Sequence, residues 1–120
     1  MTDYELLLQE LGMTQQQVDK IVHNTADQVG TPQNALIELK DSKIHGKGVF
    51  ATEDAYAGTT LCPARVCGFR TTAGRYTNHH PHPNGLMVRD RSGDIQLVAL
   101  RDISKGSEVT INYRAAMKVR

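Results

Sequence analysis

The residues best suited to chemistry cluster in Asn78-His79-His80-Pro81-His82-Pro83-Asn84. Asn and His side chains both donate and accept hydrogen bonds. Pro81 and Pro83 restrict the backbone, so the segment reads as an irregular loop whose own N–H and C=O groups could face a ligand. Upstream lies His45-Gly46-Lys47-Gly48-Val49-Phe50. Without a Cβ, Gly46 and Gly48 let the backbone approach a bound molecule, although a simple turn would use the same pair. Downstream, Gly106-Ser107-Glu108-Val109-Thr110-Ile111-Asn112-Tyr113 adds a carboxylate and a phenol. A rival chemistry is metal binding, since His79, His80 and His82 follow Cys62 and Cys67, and zinc accepts both ligand types. Four residues separate the two cysteines and no second close cysteine pair exists. That spacing argues against zinc, leaving exposed loop histidines as the plainer alternative and no residue assigned to a metal.

Short elements must position these groups. Residues 3–29 read as two helices. Leu6, Leu7, Leu8 and Leu11 give the first an apolar stripe, and Gly12 offers its stop. Thr14 with Gln17 three residues later forms a capping box for the second, in which Val18, Ile21, Val22 and Val29 recur near helical spacing. Gly30-Thr31-Pro32 ends the unit. This pair is either a packing or oligomerisation appendage or half of a helix-turn-helix. Against the latter, Thr14 to Gln28 contains only Lys20 as a basic residue. From residue 35 the pattern turns to short strands: Ala35–Leu39, Gly48–Thr52 and Thr59–Cys62. A hairpin follows, Leu86–Arg89 with Ile95–Leu100, and the last strand is Val109–Tyr113. The expected organisation is a helical extension over residues 1–34 and a mostly β domain over residues 35–120.

Composition narrows the function. The 120 residues suffice for one domain with its own core. A formal net charge of +1 gives no electrostatic case for nucleic-acid binding. No apolar run approaches the roughly 20 residues of a membrane span. The start, Met1-Thr2-Asp3-Tyr4-Glu5, lacks the basic segment of a secretory signal. Free thiols in a reducing cytosol are the expectation for Cys62 and Cys67.

Taken in order, Ile44-His45-Gly46-Lys47-Gly48-Val49-Phe50-Ala51, Arg75-Tyr76-Thr77-Asn78-His79, Pro83-Asn84, Ala99-Leu100-Arg101-Asp102-Ile103-Ser104-Lys105-Gly106 and Glu108-Val109-Thr110-Ile111-Asn112-Tyr113 resemble the SET-domain protein lysine methyltransferases. That family carries G-x-G-V-F, R-F-I-N-H-S-x-x-P-N, A-x-R-D-I-x-x-G and G-E-E-L/I-x-x-D/N-Y. The resemblance runs from about Ala35 to Tyr113. It implies a β-rich, β-clip type SET fold and methyl transfer from S-adenosylmethionine to a lysine of a protein substrate, in the cytoplasm or a host's cytoplasm. It further implies that Gly46, Lys47, Gly48, Asn78 and His79 lie against the cofactor and that Tyr113 is catalytic. By the residues alone, Tyr113 could equally be a strand tyrosine capping the core. Glu108 would hold the site through hydrogen bonds, or sit as a surface carboxylate at a turn. The 99–106 run would be a turn that sets the last strand.

The sequence departs from the family pattern in three places. The family's serine is His80 and the following cysteine is Pro81. The long insert that usually walls the substrate groove is reduced to the stretch from Cys62 to Gly74, with Phe69 its one aromatic. Residues 114–120 contain no cysteine and no aromatic to cover an adenine. Such brevity resembles the minimal SET proteins of viruses and bacteria. It implies a groove completed by the N-terminal helices or by a second subunit, most simply in a two-fold homodimer. The alternative function is a non-catalytic binding or assembly module on a SET scaffold.

Overall fold

In the computed structural model, which describes residues 2–17, 28–32 and 34–119, the alternating stretch Ile95-Gln96-Leu97-Val98-Ala99 forms a strand. Its residues Ile95, Leu97 and Ala99 turn inward, as the two-residue side-chain period requires. It pairs antiparallel with Gly85–Arg89, placing Met87 opposite Leu97. The expected hairpin is therefore present. Its turn is organised by Asp90, whose Oδ1 accepts from the Ser92 N–H (2.9 Å), the Ser92 hydroxyl (2.6 Å) and the Asp94 N–H (3.1 Å).

In chain order, the strands are β1 (Gln28–Val29), β2 (Ile37–Asp41), β3 (Lys47–Ala51), β4 (Thr60–Val66), β5 (Phe69–Thr71), β6 (Asn78–His79), β7 (Gly85–Arg89), β8 (Ile95–Ala99) and β9 (Glu108–Ile111). The helices are α1 (Asp3–Leu11), α2 (Thr72–Tyr76) and α3 (Tyr113–Met117). One sheet runs β1-β5-β4-β8-β7 and the other β2-β3-β9-β6. Pairings are antiparallel except β1 with β5 and β6 with β9. Val49 and Val109 from one sheet and Leu61 and Leu97 from the other are at most 2% exposed and join in one core. Each such side chain contributes about 1.5–3 kcal/mol on burial.

Several elements differ from expectation, each for an identifiable reason. The strand expected to end at Cys62 runs through Pro63 to Val66. Register shifts between Thr60 and Cys62 and between Pro63 and Arg65 absorb the proline's missing donor. Cys67 and Gly68, both at positive φ (51° and 83°), then turn the chain in two residues into β5. Asn78-His79 is no loop but a strand beside Thr110 and Ile111. Val29 belongs to β1, not to a helix. Val18, Ile21 and Val22 lie outside the described residues.

The first helix and its boundaries match the sequence. The Thr2 hydroxyl accepts from the Glu5 N–H, and Gly12 adopts the left-handed conformation, with the Met13 N–H reaching the Leu8 carbonyl at 2.9 Å. The stripe is narrower than four leucines: Leu7 is buried and Leu6 faces out. The capping box forms, with the Thr14 N–H on Gln17 Oε1 (2.8 Å) and the Gln17 N–H on Thr14 Oγ1 (3.2 Å).

β9 is threaded between β3 and β6, and side chains complete its pairing. Asn84 accepts from the Thr110 N–H and donates to the Glu108 carbonyl, both at 2.9 Å, as a neighbouring strand's backbone would. The turn before β9 behaves as expected: Ile103 is buried and bridges Ala55, and the Gly106 N–H donates to the Ala51 carbonyl at 2.8 Å. Replacing Asn84 by Ala leaves two backbone groups of β9 without partners. The expected loss is about 1–3 kcal/mol, read from the urea midpoint at constant slope; an unmoved midpoint would show that water takes over both bonds.

Candidate active site

Two clusters organise the candidate residues, on either side of β6. The first is a node on Glu108. The Ser42 hydroxyl donates to both carboxylate oxygens (2.7 and 2.9 Å). The Asn78 amide donates to Glu108 Oε2 at 2.8 Å and lies within 3.1–3.2 Å of Ser42 Oγ and the carbonyls of His45 and Lys47. An amide nitrogen has two hydrogens, so these weaker contacts share one of them. A Cβ on Gly48 would overlap Glu108 Oε2 and press on Ser42 Cβ. Gly48 is therefore required for the close approach of the carboxylate. Gly46 differs: its φ is +48° and no atom lies within 4 Å of where its Cβ would stand, so the backbone there is a left-handed turn open to its surroundings. Lys47 points into solvent and pairs with Asp41 at 2.6 Å, a contact worth little in water.

The second cluster joins His79 to Tyr113. Asn112 caps α3, its Oδ1 accepting from the Arg114 N–H at 3.0 Å. The strand expected to include Tyr113 therefore ends at Ile111. Turned out of the ladder, the Tyr113 N–H donates to His79 Nδ1 at 3.0 Å, and the Tyr113 hydroxyl donates to the Thr77 carbonyl at 2.8 Å. The rings of His79 and Tyr113 lie 5.1 Å apart. Burial, reinforced by the neighbouring Tyr4 and Glu108, holds the Tyr113 hydroxyl above the usual phenol range, so it stays neutral.

Tyr113 and Thr77 line a cavity of about 250 Å³ with Met87, Ile95 and Ile111. Leu11 and Met13, from the end of α1 and just beyond, supply another wall. The sequence thus brings Gly48, Asn78 and Glu108 together and, separately, His79 and Tyr113. Gly46, Lys47, Gly48, Asn78 and His79 do not line this cavity. Sequence reasoning missed Ser42, Thr77, Asp3 and Arg114. Only Thr77 carried a signal, as the residue preceding Asn78-His79.

Comparisons with known proteins bear on the fold. Residues 65–114 match the family model described as SET domain; Asn78, His79 and Tyr113 fall inside the match and Gly46–Gly48 outside it. A crystal structure of a Plasmodium falciparum protein described as a putative histone methyltransferase has the same fold. The likeness has a TM-score of 0.52 at 20% identity and covers 64% of this chain and 96% of that one. No curated protein matches the sequence. The fold is that of a SET domain, as the motifs implied, and the matched segment spans residues 65–114 of the 120.

The histidines and cysteines do not converge. His79 is buried while His80 and His82 are exposed, and among the described residues no group of three His, Cys, Asp or Glu is placed to hold a metal. Both cysteines are thiols. Burial pushes Cys62 up to about 12, whereas Cys67 is exposed. At pH 8 a thiol reagent should label Cys67 and leave Cys62 unmodified in the folded protein, as peptide mass spectrometry will show. Equal labelling would mean that β4 opens readily.

Proposed function

We propose that this chain is an S-adenosylmethionine-dependent protein lysine N-methyltransferase of minimal SET type. The observation that carries the reading is a neutral phenol, Tyr113, fixed by the Thr77 carbonyl at the wall of a mainly apolar cavity that Arg65, Arg70 and Arg75 also line. The residues present suit a sulfonium cofactor. Oxygen acceptors at Thr77 and Tyr113 suit a positive centre, and the open backbone at Gly46 would accept a ligand at close range. The backbones of Gly46–Gly48 and Asn78–His79 would hold the cofactor. When bound, it supplies an electrophilic methyl group.

The chain's own residues then have two tasks. The apolar walls at Met87, Ile95 and Ile111, and the cationic side chains of Arg65, Arg70 and Arg75 in the same lining, disfavour a charged ammonium, so an entering lysine loses its proton to water more readily. The Tyr113 oxygen donates its hydrogen to Thr77 and keeps lone pairs to accept from the amine, aligning it for in-line attack. The alternative, a SET scaffold that binds without turnover, is favoured by one feature: the side chains of Asn78 and His79 are both engaged inside the protein.

Calorimetry with S-adenosylmethionine on the purified chain tests the reading. Binding is expected, and absence of heat at millimolar ligand would remove the proposal. Tyr113→Phe should retain binding, cost about 0.5–1.5 kcal/mol in stability, and lower methyl transfer to a lysine peptide pool by roughly 10²-fold. Turnover equal to the parent's would make Tyr113 structural.

A further inference from the structure

The N-terminal helix makes one contact that packing alone does not require. Asp3, at the start of α1, places Oδ2 2.5 Å from His79 Nε2, and the His79 side chain is only 4% exposed. Asp3 is held in turn by Arg114 Nη1, at 3.0 Å from Oδ2 and 3.2 Å from Oδ1. Arg114 Nε reaches Glu10 on the same helix at 2.8 Å. Leu7 is buried at 1% exposure between these two anchors. The Arg114 guanidinium, and then His79, hold the Asp3 carboxyl below the usual range, so Asp3 is an anion.

The hydrogen count on His79 follows. Its Nδ1 accepts from the Tyr113 N–H and so carries no hydrogen. The imidazole's hydrogen therefore sits on Nε2 and points at the Asp3 carboxylate. Were it on Nδ1, two N–H groups would face each other and the Tyr113 amide would lose its acceptor. An anion against Nε2 strongly favours this arrangement.

We propose that Asp3 is a positioning residue for the Tyr113 site: its carboxylate fixes the buried His79 as the Nε2–H tautomer, and Nδ1 then anchors the backbone of Tyr113. The helix α1 is thereby a working part of the site. It carries the Asp3 anchor at one end and supplies the cavity wall at Leu11 at the other. The tautomer claim stands on its own; its effect on cofactor binding rests on the function proposed above.

Nitrogen-15 spectra of the histidine rings in the full chain provide the test. The parent should show His79 with Nε2 protonated and Nδ1 bare; an Nδ1–H signal there overturns the proposal without any variant. In Asp3→Ala, both tautomers should appear, the Tyr113 amide should exchange at least about tenfold faster, and affinity for S-adenosylhomocysteine should fall about tenfold or more. Asp3→Asn keeps a carbonyl that can accept from Nε2 and should restore the parent spectrum and binding. Glu10→Ala loosens the helix without touching His79 and should lower the melting temperature only. If Asp3→Ala lowers the melting temperature but leaves the ring signals and the Tyr113 amide unchanged, Asp3 merely packs the helix and the inference is wrong. A parent that does not bind the cofactor product removes the methyltransferase reading, while the ring signals still decide the relay.

Discussion

A single carboxylate, Glu108, sets the geometry on which the rest of this structure depends. It stands at the start of β9 and receives hydrogen bonds from Ser42, before the glycine turn, and from Asn78, in β6. Three segments far apart in sequence therefore meet at one partly buried charge. Removing either partner would leave an anion short of donors, a larger penalty than the bond itself is worth. Gly48 yields the necessary space, so the residue that looks like a ligand-facing glycine in the sequence also serves the protein's own packing. Once the node is made, β6 lies beside β9, and Thr77 and His79 are placed on opposite sides of Tyr113. Asn84 secures the same strand from its other flank.

The N-terminal helix adds a second constraint from outside the SET motifs. Family resemblance implies that the short stretch from Cys62 to Gly74 leaves one side of the groove unbuilt. In the structure that stretch is a tight hairpin and one short helix, and Leu11 and Met13 line the cavity beside Tyr113. The electrostatics favour the seat: Arg114 is bracketed by Asp3 and Glu10, two carboxylates seven residues apart on one face of α1. Each pair is partly exposed and weak alone. The placement of Asp3 against a buried imidazole gives the arrangement its specificity.

How much of this was legible in the sequence depended on how local the cause was. The Thr14–Gln17 capping box and the helix stop at Gly12 are set by neighbours within four residues, and both read correctly. The hairpin of β7 and β8 follows from alternation. Errors arose where tertiary pairing overrides local preference. Asn78-His79 looked like part of a loop because two prolines follow it and its partner strand lies some thirty positions on. Pro63 looked like a strand end because a bulge cannot be read from one chain segment. Tyr113 was placed in a strand, although Asn112 before Tyr-Arg-Ala-Ala-Met is a recognisable helix cap. Nothing in the sequence connects Asp3 to His79, since one ordinary carboxylate in an acidic helix start carries no mark of a partner 76 residues away.

The threading of β9 also dictates an order of events during folding. The hairpins β4–β5 and β7–β8 close over a few residues and can form as soon as they exist. The sheet β2-β3-β9-β6 cannot, because its third strand is the last to leave the ribosome and must be seated between two strands made long before. Until residue 111 arrives, β3 and β6 face each other across an empty lane lined with unpaired backbone groups. The half-built sheet is then a template for any extended segment, its own or another chain's. Closing that lane with its own strand means ordering the long stretch of chain between β3 and β9, which is entropically costly.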